Sequence, residues 1–175
     1  MSNELRIAVS GKSGCGNTTV SSLVAGRLGI RLINYTFHTM ADEMGIDFAE
    51  LCNLAEHSDE YDRKIDTRQV VLARGGSCVL ASRLAIWLLE EADLKVFLTA
   101  PAQVRAERIA KRENRSVGEV LEETLSRDAR DRKRYMRLYN IDNDDYSFAD
   151  LVIDTEKYNQ DEVASIILER VELLR

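Results

Sequence analysis

The chain has 175 residues, of which 45% are hydrophobic and 31% are charged, and its formal net charge is −6. This length suits one domain with a full core, and the acidity argues against general binding to nucleic acids or to membrane surfaces. No apolar stretch reaches membrane-spanning length and the N-terminus lacks a signal-peptide core, so we expect a cytoplasmic protein, either a monomer or a weak homodimer.

Short apolar runs predict β-strands, and the segments between them have helical periodicity. The predicted strands cover residues 5–10, 31–34, 78–82, 94–99 and 151–154. The predicted helices cover residues 18–28, 36–44, 48–56, 60–73, 102–114, 117–139 and 160–174. Alternation of this kind is typical of a parallel sheet between two helix layers. We therefore predict an α/β fold with a five-stranded parallel sheet and helices on both faces.

A glycine-rich loop, GKSGCGNTT, occupies residues 11–19, between the first strand and the first helix. It fits the phosphate-binding pattern G-x-x-x-x-G-K-[ST], except that Asn17 stands at the position of the lysine. Glycines let backbone N–H groups converge on an anion, and the helix N-terminus adds its positive dipole end. We predict that this loop binds ATP and that the Thr18 hydroxyl binds Mg²⁺. The predicted ATP-binding residues are Gly11, Ser13, Gly14, Cys15, Gly16, Asn17, Thr18 and Thr19.

The missing lysine affects catalysis more than binding. Backbone amides and the helix dipole survive the change to Asn17, so phosphate affinity should fall without vanishing. A cation on the β- and γ-phosphates contributes most as charge moves in the transition state. Lys12 either folds back over the phosphates, as in the signature-lysine variant of this loop, or points into water.

Three further residues are candidates for binding an acceptor. Arg83 follows the third predicted strand, and ligands of open α/β sheets bind outside the strands' carboxyl ends. Alternatively, Arg83 forms a surface ion pair. Asp66 and Arg68 share a predicted helix, where they either anchor a monophosphate and a base edge or form an exposed helical pair.

Residues 105–137 are basic, with eleven Lys or Arg against seven Asp or Glu. Four arginines at spacings of 3, 4 and 3 share one face of the predicted helix: Arg127, Arg130, Arg134 and Arg137. Such fixed guanidinium groups suit a transferring phosphoryl group, although a solvated, salt-bridged face is the commoner fate of a charge run. The pairs Asp128–Arg132 and Asp131–Arg134 are spaced to hold the stripe in place.

Two segments carry a resemblance to a known family. RDARDRKR, residues 127–134, is similar to the R-D-x-x-D-x-x-R lid segment of bacterial cytidylate kinases. RYMRLYNID, residues 134–142, is similar to the R-Y-x-x-x-Y-G-I-D stretch of the archaeal branch. From Leu5 to about residue 170, the chain resembles the cytidylate kinases, in particular their compact archaeal-type branch.

The resemblance implies that the chain transfers the γ-phosphoryl group of ATP to CMP or dCMP, with Mg²⁺. It also implies a P-loop NTPase three-layer sandwich, with a helical insertion that binds the nucleoside monophosphate and a mobile helical lid. The single domain would span residues 1–175, with its core at about 1–34, 76–114 and 148–175. The insertion would cover about 35–75 and the lid about 115–147.

The resemblance assigns roles to individual residues. The implied catalytic residues are Lys12, Arg83, Arg127 and Arg134. The implied acceptor-binding residues are His38, Asp66, Arg68, Arg83 and Arg130, with His38 standing where the family has an arginine.

The family pattern is not complete. The family's third strand ends in a carboxylate followed by Gly-Arg, whereas this chain has Ala81-Ser82-Arg83. One lysine and one carboxylate are therefore missing together. Besides an active kinase, two alternatives stay open: a non-catalytic nucleotide-binding or regulatory relative, and a P-loop kinase of another small molecule such as shikimate or a nucleoside.

Overall fold

A computed structural model describes residues 4–175 and contains a five-stranded sheet. The strands are β1 (Arg6–Gly11), β2 (Arg31–Ile33), β3 (Cys78–Ala81), β4 (Leu94–Thr99) and β5 (Leu151–Asp154). Their order is β2-β3-β1-β4-β5, and every neighbouring pair is parallel. The predicted parallel sheet is confirmed, and the carboxyl ends of β1 and β3 meet at its centre, since Val9 pairs with Ala81.

The helices are α1 (Asn17–Leu28), α2 (Phe37–Met44), α3 (Phe48–His57), α4 (Glu60–Arg74), α5 (Ala85–Leu88), α6 (Ala102–Glu113), α7 (Val117–Tyr139) and α8 (Gln160–Glu172). All seven predicted helices are present, with ends that differ by at most two residues. The short helix α5 was not predicted, because four residues of continuous apolar sequence are too short to show a helical period. Within residues 4–175, no helix is long and apolar enough to cross a membrane.

Helices cover both faces of the sheet, which confirms the three-layer arrangement. On one face, α1 and α8 pack on β1 and β4, with Val24 and Ile167 fully buried against Ile7. On the other face, α5 and the end of α4 pack on Leu80, and Tyr146 stacks on Phe97. Both faces of the central strands are therefore apolar, as a doubly covered parallel sheet requires.

The long helix α7 connects the remaining parts of the molecule. Near its start, Val120 packs against Ala106 and Ile109 of α6. Near its end, Arg134 pairs with Asp62 of α4, and Arg137 pairs with Asp59, the N-cap residue of α4. Helices α2 to α4 have a small core of their own, formed by Tyr35, Met40, Ala41, Leu51 and Ile65. The division into core, monophosphate-binding insertion and mobile lid stays a prediction.

Candidate active site

The glycine loop folds tightly between β1 and α1. Gly14 and Gly16 have φ angles of 84° and 90°, in the left-handed region that favours glycine. A Cβ atom on Gly14 would lie 2.8 Å from the Cβ of Arg105, so the loop backbone packs directly on α6. Gly16 caps α1 without a side-chain hydrogen bond, which leaves the first N–H groups of the helix without a side-chain cap.

The Asn17 side chain bonds to the backbone of its own loop and does not extend away from it. Its Nδ2 donates a hydrogen bond of 2.9 Å to the carbonyl oxygen of Gly11, and its Oδ1 is buried without a partner. A Cβ atom on Gly11 would lie 2.6 Å from that Oδ1, so only glycine leaves room for this contact. The amide group that replaces the lysine is therefore already hydrogen-bonded to the backbone of the loop.

Other loop side chains differ in what they can offer a ligand. Ser13 accepts a hydrogen bond from Arg105 Nη1 at its carbonyl oxygen, at 3.2 Å. Cys15 is 2% exposed, and burial raises the pKa of its thiol from 9.0, so it is a packing residue. Thr19 is exposed on the first turn of α1.

The Thr18 hydroxyl is suited to a magnesium ion. Thr18 is exposed on the first turn of α1, and its Oγ1 accepts a hydrogen bond of 3.3 Å from Asn34. Because Mg²⁺ keeps several waters and phosphate oxygens, one or two protein oxygens are enough for a site. Ala81, at the end of β3, offers no carboxylate to the ion.

Lys12 does not extend freely into water, and its contact with ATP phosphates stays a prediction. Its Nζ lies 2.5 Å from Oδ1 of Asp144, in the segment between α7 and β5. Only 27% of the Lys12 side chain is exposed. The ammonium is therefore held beside the loop by a fixed carboxylate.

Two carboxylates of α7 hold arginines beside the loop. Asp128 receives two hydrogen bonds from Arg105, of 3.2 and 2.6 Å, and Asp131 forms an ion pair with Arg83. The Arg105 side chain is 5% exposed and that of Asp131 is 10% exposed, so both pairs are shielded from solvent. Arg105 was not predicted as a site residue, although it begins the basic segment 105–137 and lies in the first turn of the helix after β4.

These groups surround a narrow cleft above the carboxyl end of β1. Its lining residues are Gly11, Lys12, Arg83, Phe97, Asp128, Asp131 and Asn143. The enclosed space, about 10 Å³, suits one water molecule. A phosphoryl group is larger than water, so the cleft in this form does not enclose one.

The four arginines that the sequence placed on one helix face have different environments. Arg134 lies 3.2 Å from Asp131 and 3.6 Å from Asp62, while Arg137 forms an exposed pair with Asp59 at 2.7 Å. Arg127 and Arg130 form no ion pair with any residue among 4–175. Partial enclosure of its guanidinium, together with the nearby charge of Arg83, lowers the pKa of Arg127. Arg127 is thus a cation near Arg83 that has no carboxylate partner within the described part of the chain.

The predicted in-helix pairs are partly wrong. Asp131 does contact Arg134, as expected from the sequence. Asp128 instead pairs with Arg105, and Arg132 pairs with Asp142, because tertiary contacts provide these groups with better aligned partners than the helix does.

The predicted acceptor-binding residues are not brought together in the structure. Arg83 lines the cleft, whereas His38 is exposed and stacks on Phe48 with ring centroids 3.7 Å apart. Arg68 and Arg130 are exposed. Asp66 lines a different cavity, of about 310 Å³, and accepts a 2.5 Å hydrogen bond from the Tyr139 hydroxyl. Burial raises the pKa of Asp66 from 3.8 to about 6.

Known proteins that are similar in sequence to this chain are described as cytidylate kinases. The profile of the cytidylate kinase-like family matches residues 6–157. The chain is 49% identical to "Cytidylate kinase 2" of Borreliella afzelii, covering 96% of this chain and 97% of the relative. It is 41% identical to "Cytidylate kinase" of Methanocaldococcus jannaschii, covering 97% and 98%. A shikimate kinase structure from Bacteroides thetaiotaomicron superposes with a TM-score of 0.65, at 14% identity and coverage of 96% and 98%, and is similar in fold.

We predict that Gly14→Ala destabilises the protein by about 1–3 kcal/mol and weakens ATP binding, because alanine is strained at positive φ and its methyl group would overlap Arg105. Urea unfolding and titration with a fluorescent ATP analogue measure both effects. Gly26→Ala is the matched control, since a Cβ at that helical position meets nothing within 4 Å and should stabilise slightly. Equal behaviour of the two variants would contradict this account of the loop.

We also predict that Asp66→Asn is more stable than the unsubstituted protein at pH 7.5, by on the order of 1–2 kcal/mol. The unfolded Asp66 loses its proton near pH 4 and the folded one near pH 6, so its unfavourable contribution grows over that window. Asparagine still accepts the Tyr139 hydrogen bond and does not titrate, so the difference should vanish by pH 4.

Unfolding in urea between pH 4 and 8 tests this prediction. Asp47→Asn is the control, because Asp47 is an exposed N-cap without a side-chain hydrogen bond. An Asp66→Asn variant that is less stable at every pH would mean that an ionised Asp66 is favourable in the fold.

Proposed function

The chain belongs to the cytidylate kinase-like family and is a nucleoside monophosphate kinase, and from this premise we propose that it phosphorylates CMP and dCMP with ATP. The products are ADP and CDP or dCDP. One observation carries the proposal: the glycine loop, Lys12, Arg83 and two carboxylates of α7 line the same cleft at the carboxyl end of β1.

The loop side of the cleft suits ATP. Backbone N–H groups of the loop and of the first turn of α1 would donate to the phosphate oxygens, apart from that of Cys15, which donates to the carbonyl oxygen of Lys12. Lys12 is the cation within this loop. When bound, Mg²⁺ would neutralise part of the phosphate charge, and the Thr18 hydroxyl would hold it.

The opposite side suits a monophosphate acceptor. Arg83 and Arg127 offer planar guanidinium donors that match phosphate geometry, and Arg134 stands next to Asp131. The acceptor is already an anion, so no general base has to remove a proton. The chain's residues need to orient the two phosphates in line, offset their charge and exclude water as α7 closes over them.

Asn17 and Ala81 favour a second candidate, a relative that binds nucleotides without transferring phosphate. Both substitutions remove charged groups that act on the transferring phosphoryl group rather than on ground-state binding. The experiment below separates this candidate from the first.

We predict that the protein transfers phosphate from ATP to CMP and dCMP faster than to UMP, AMP, shikimate or deoxyadenosine. Single-turnover transfer of labelled γ-phosphate to each acceptor measures this preference. Tight ATP binding without transfer to any acceptor would support the non-catalytic candidate. Preferred transfer to shikimate or deoxyadenosine would identify a kinase of another small molecule.

We predict that Arg83→Gln lowers the rate of transfer to CMP by roughly 10²–10³-fold, because it removes a preorganised cation from the phosphates. Arg137→Gln is the matched control, since Arg137 is on α7 but forms an exposed pair outside the cleft. Circular dichroism checks folding, because Arg83→Gln also leaves the buried Asp131 without one of its partners. Similar rates for the two variants would exclude Arg83 from the transfer step.

A further inference from the structure

We propose that Asp144 is a positioning residue, which holds the ammonium of Lys12 beside the phosphate loop in place of the cation that Asn17 does not provide. This inference rests on the proposed function and adds one residue to the same site. It follows from three observations: the contacts of Lys12, the contacts that fix Asp144, and the ion pairs that the other cations around the cleft already form.

The cations around the cleft differ in how many of their donors are already bonded to protein groups. Arg105 donates to both oxygens of Asp128 and to the carbonyl oxygen of Ser13, so its donors serve the protein itself. Arg83 is paired with Asp131, a carboxylate of α7. Lys12 is the cation carried by the loop, and it moves with the backbone that would contact the phosphates.

The Asn17 side chain cannot take over the charge. It is neutral, and its amide nitrogen is bonded to the carbonyl oxygen of Gly11 at 2.9 Å. The substitution therefore stabilises the loop's shape but leaves the phosphates without an ammonium at the start of α1. A compensating cation has to approach from another part of the loop, and Lys12 lines the cleft.

A lysine side chain has many conformers, so an unheld Lys12 would spend little time over the phosphates. Asp144 removes that freedom with a contact of 2.5 Å between its Oδ1 and Lys12 Nζ. An ammonium has three N–H donors, and this contact uses one of them. Two donors remain for phosphate oxygens.

Asp144 keeps its place through α7. Its Oδ2 lies 3.3 Å from Arg132, and its backbone N–H donates to Asp142 at 3.1 Å. Asp142 in turn receives two hydrogen bonds from Arg132, of 3.0 and 2.8 Å. Arg132 thereby offsets part of the negative charge of Asp144, and Lys12 retains more of its own charge for a phosphate.

This chain of contacts links the lid helix to the loop. Arg132 lies on α7, which also carries Asp128 and Asp131. A shift of α7 that opens the cleft therefore pulls on the turn that holds Lys12. When α7 closes, the same contacts return the ammonium to the loop, so the cation is in place when water is excluded.

The test is a double-mutant cycle between Asp144→Asn and Lys12→Met, read by single-turnover transfer to CMP and by the Kd for ATP. We expect Asp144→Asn to lower the transfer rate by roughly 10-fold while the Kd for ATP changes less than about 3-fold. In the Lys12→Met background, Asp144→Asn should have no further effect, because it acts through Lys12.

Asp145→Asn is the matched control. Asp145 is the adjacent carboxylate, is exposed, and bonds to Ser147 at 2.7 Å rather than to Lys12. It should transfer phosphate at the unsubstituted rate. Asp144→Glu, which keeps the charge, should recover part of the lost rate, and thermal unfolding of each variant reports on folding.

Two results would overturn the proposal. A faster Asp144→Asn variant would mean that Asp144 withdraws Lys12 from the phosphates. Multiplying effects in the double variant would mean that Asp144 acts on the fold independently of Lys12. If the unsubstituted protein transfers phosphate to no acceptor, the proposed function fails, and the positioning role that rests on it fails with it.

Discussion

The ion pairs between α7 and the arginines beside the phosphate loop determine the form of this active site. Asp131 binds Arg83 and Asp128 binds Arg105, in surroundings that are largely shielded from water. Removing one partner from such a pair typically costs about 3–5 kcal/mol, because the remaining charge stays buried. Helix α7 is therefore held over the carboxyl end of the sheet by its ion pairs with these two arginines.

This arrangement accounts for the closed cleft. The carboxylates of Asp131 and Asp128 offset the charges of Arg83 and Arg105 beside the cleft. In the proposed function, a phosphate at Arg83 would replace one anionic partner with another, so the arginine would not be left buried and unpaired. Arg127, which forms no ion pair within residues 4–175, lies near Arg83.

The substituted loop separates two roles that one lysine usually combines. Asn17 supports the loop's geometry through its bond to Gly11, whereas the charge belongs to Lys12. In the proposed function, backbone N–H groups are the main phosphate donors, and their positions depend on glycine at positive φ rather than on the side chain at position 17. Loss of the lysine therefore leaves the binding surface of the loop in place.

Much of the fold follows from local sequence alone, while the pairing of charged side chains does not. Hydrophobic period and glycine spacing are local, so they predicted the five parallel strands, seven of the helices and the loop before α1. The partners of Lys12 and Asp128 lie far away in the sequence, and other charged residues lie nearer to each of them along the chain. Only the crossing of α7 over the strand ends decided that Asp128 binds Arg105 and that Lys12 binds Asp144, because an ion pair depends on distance in space.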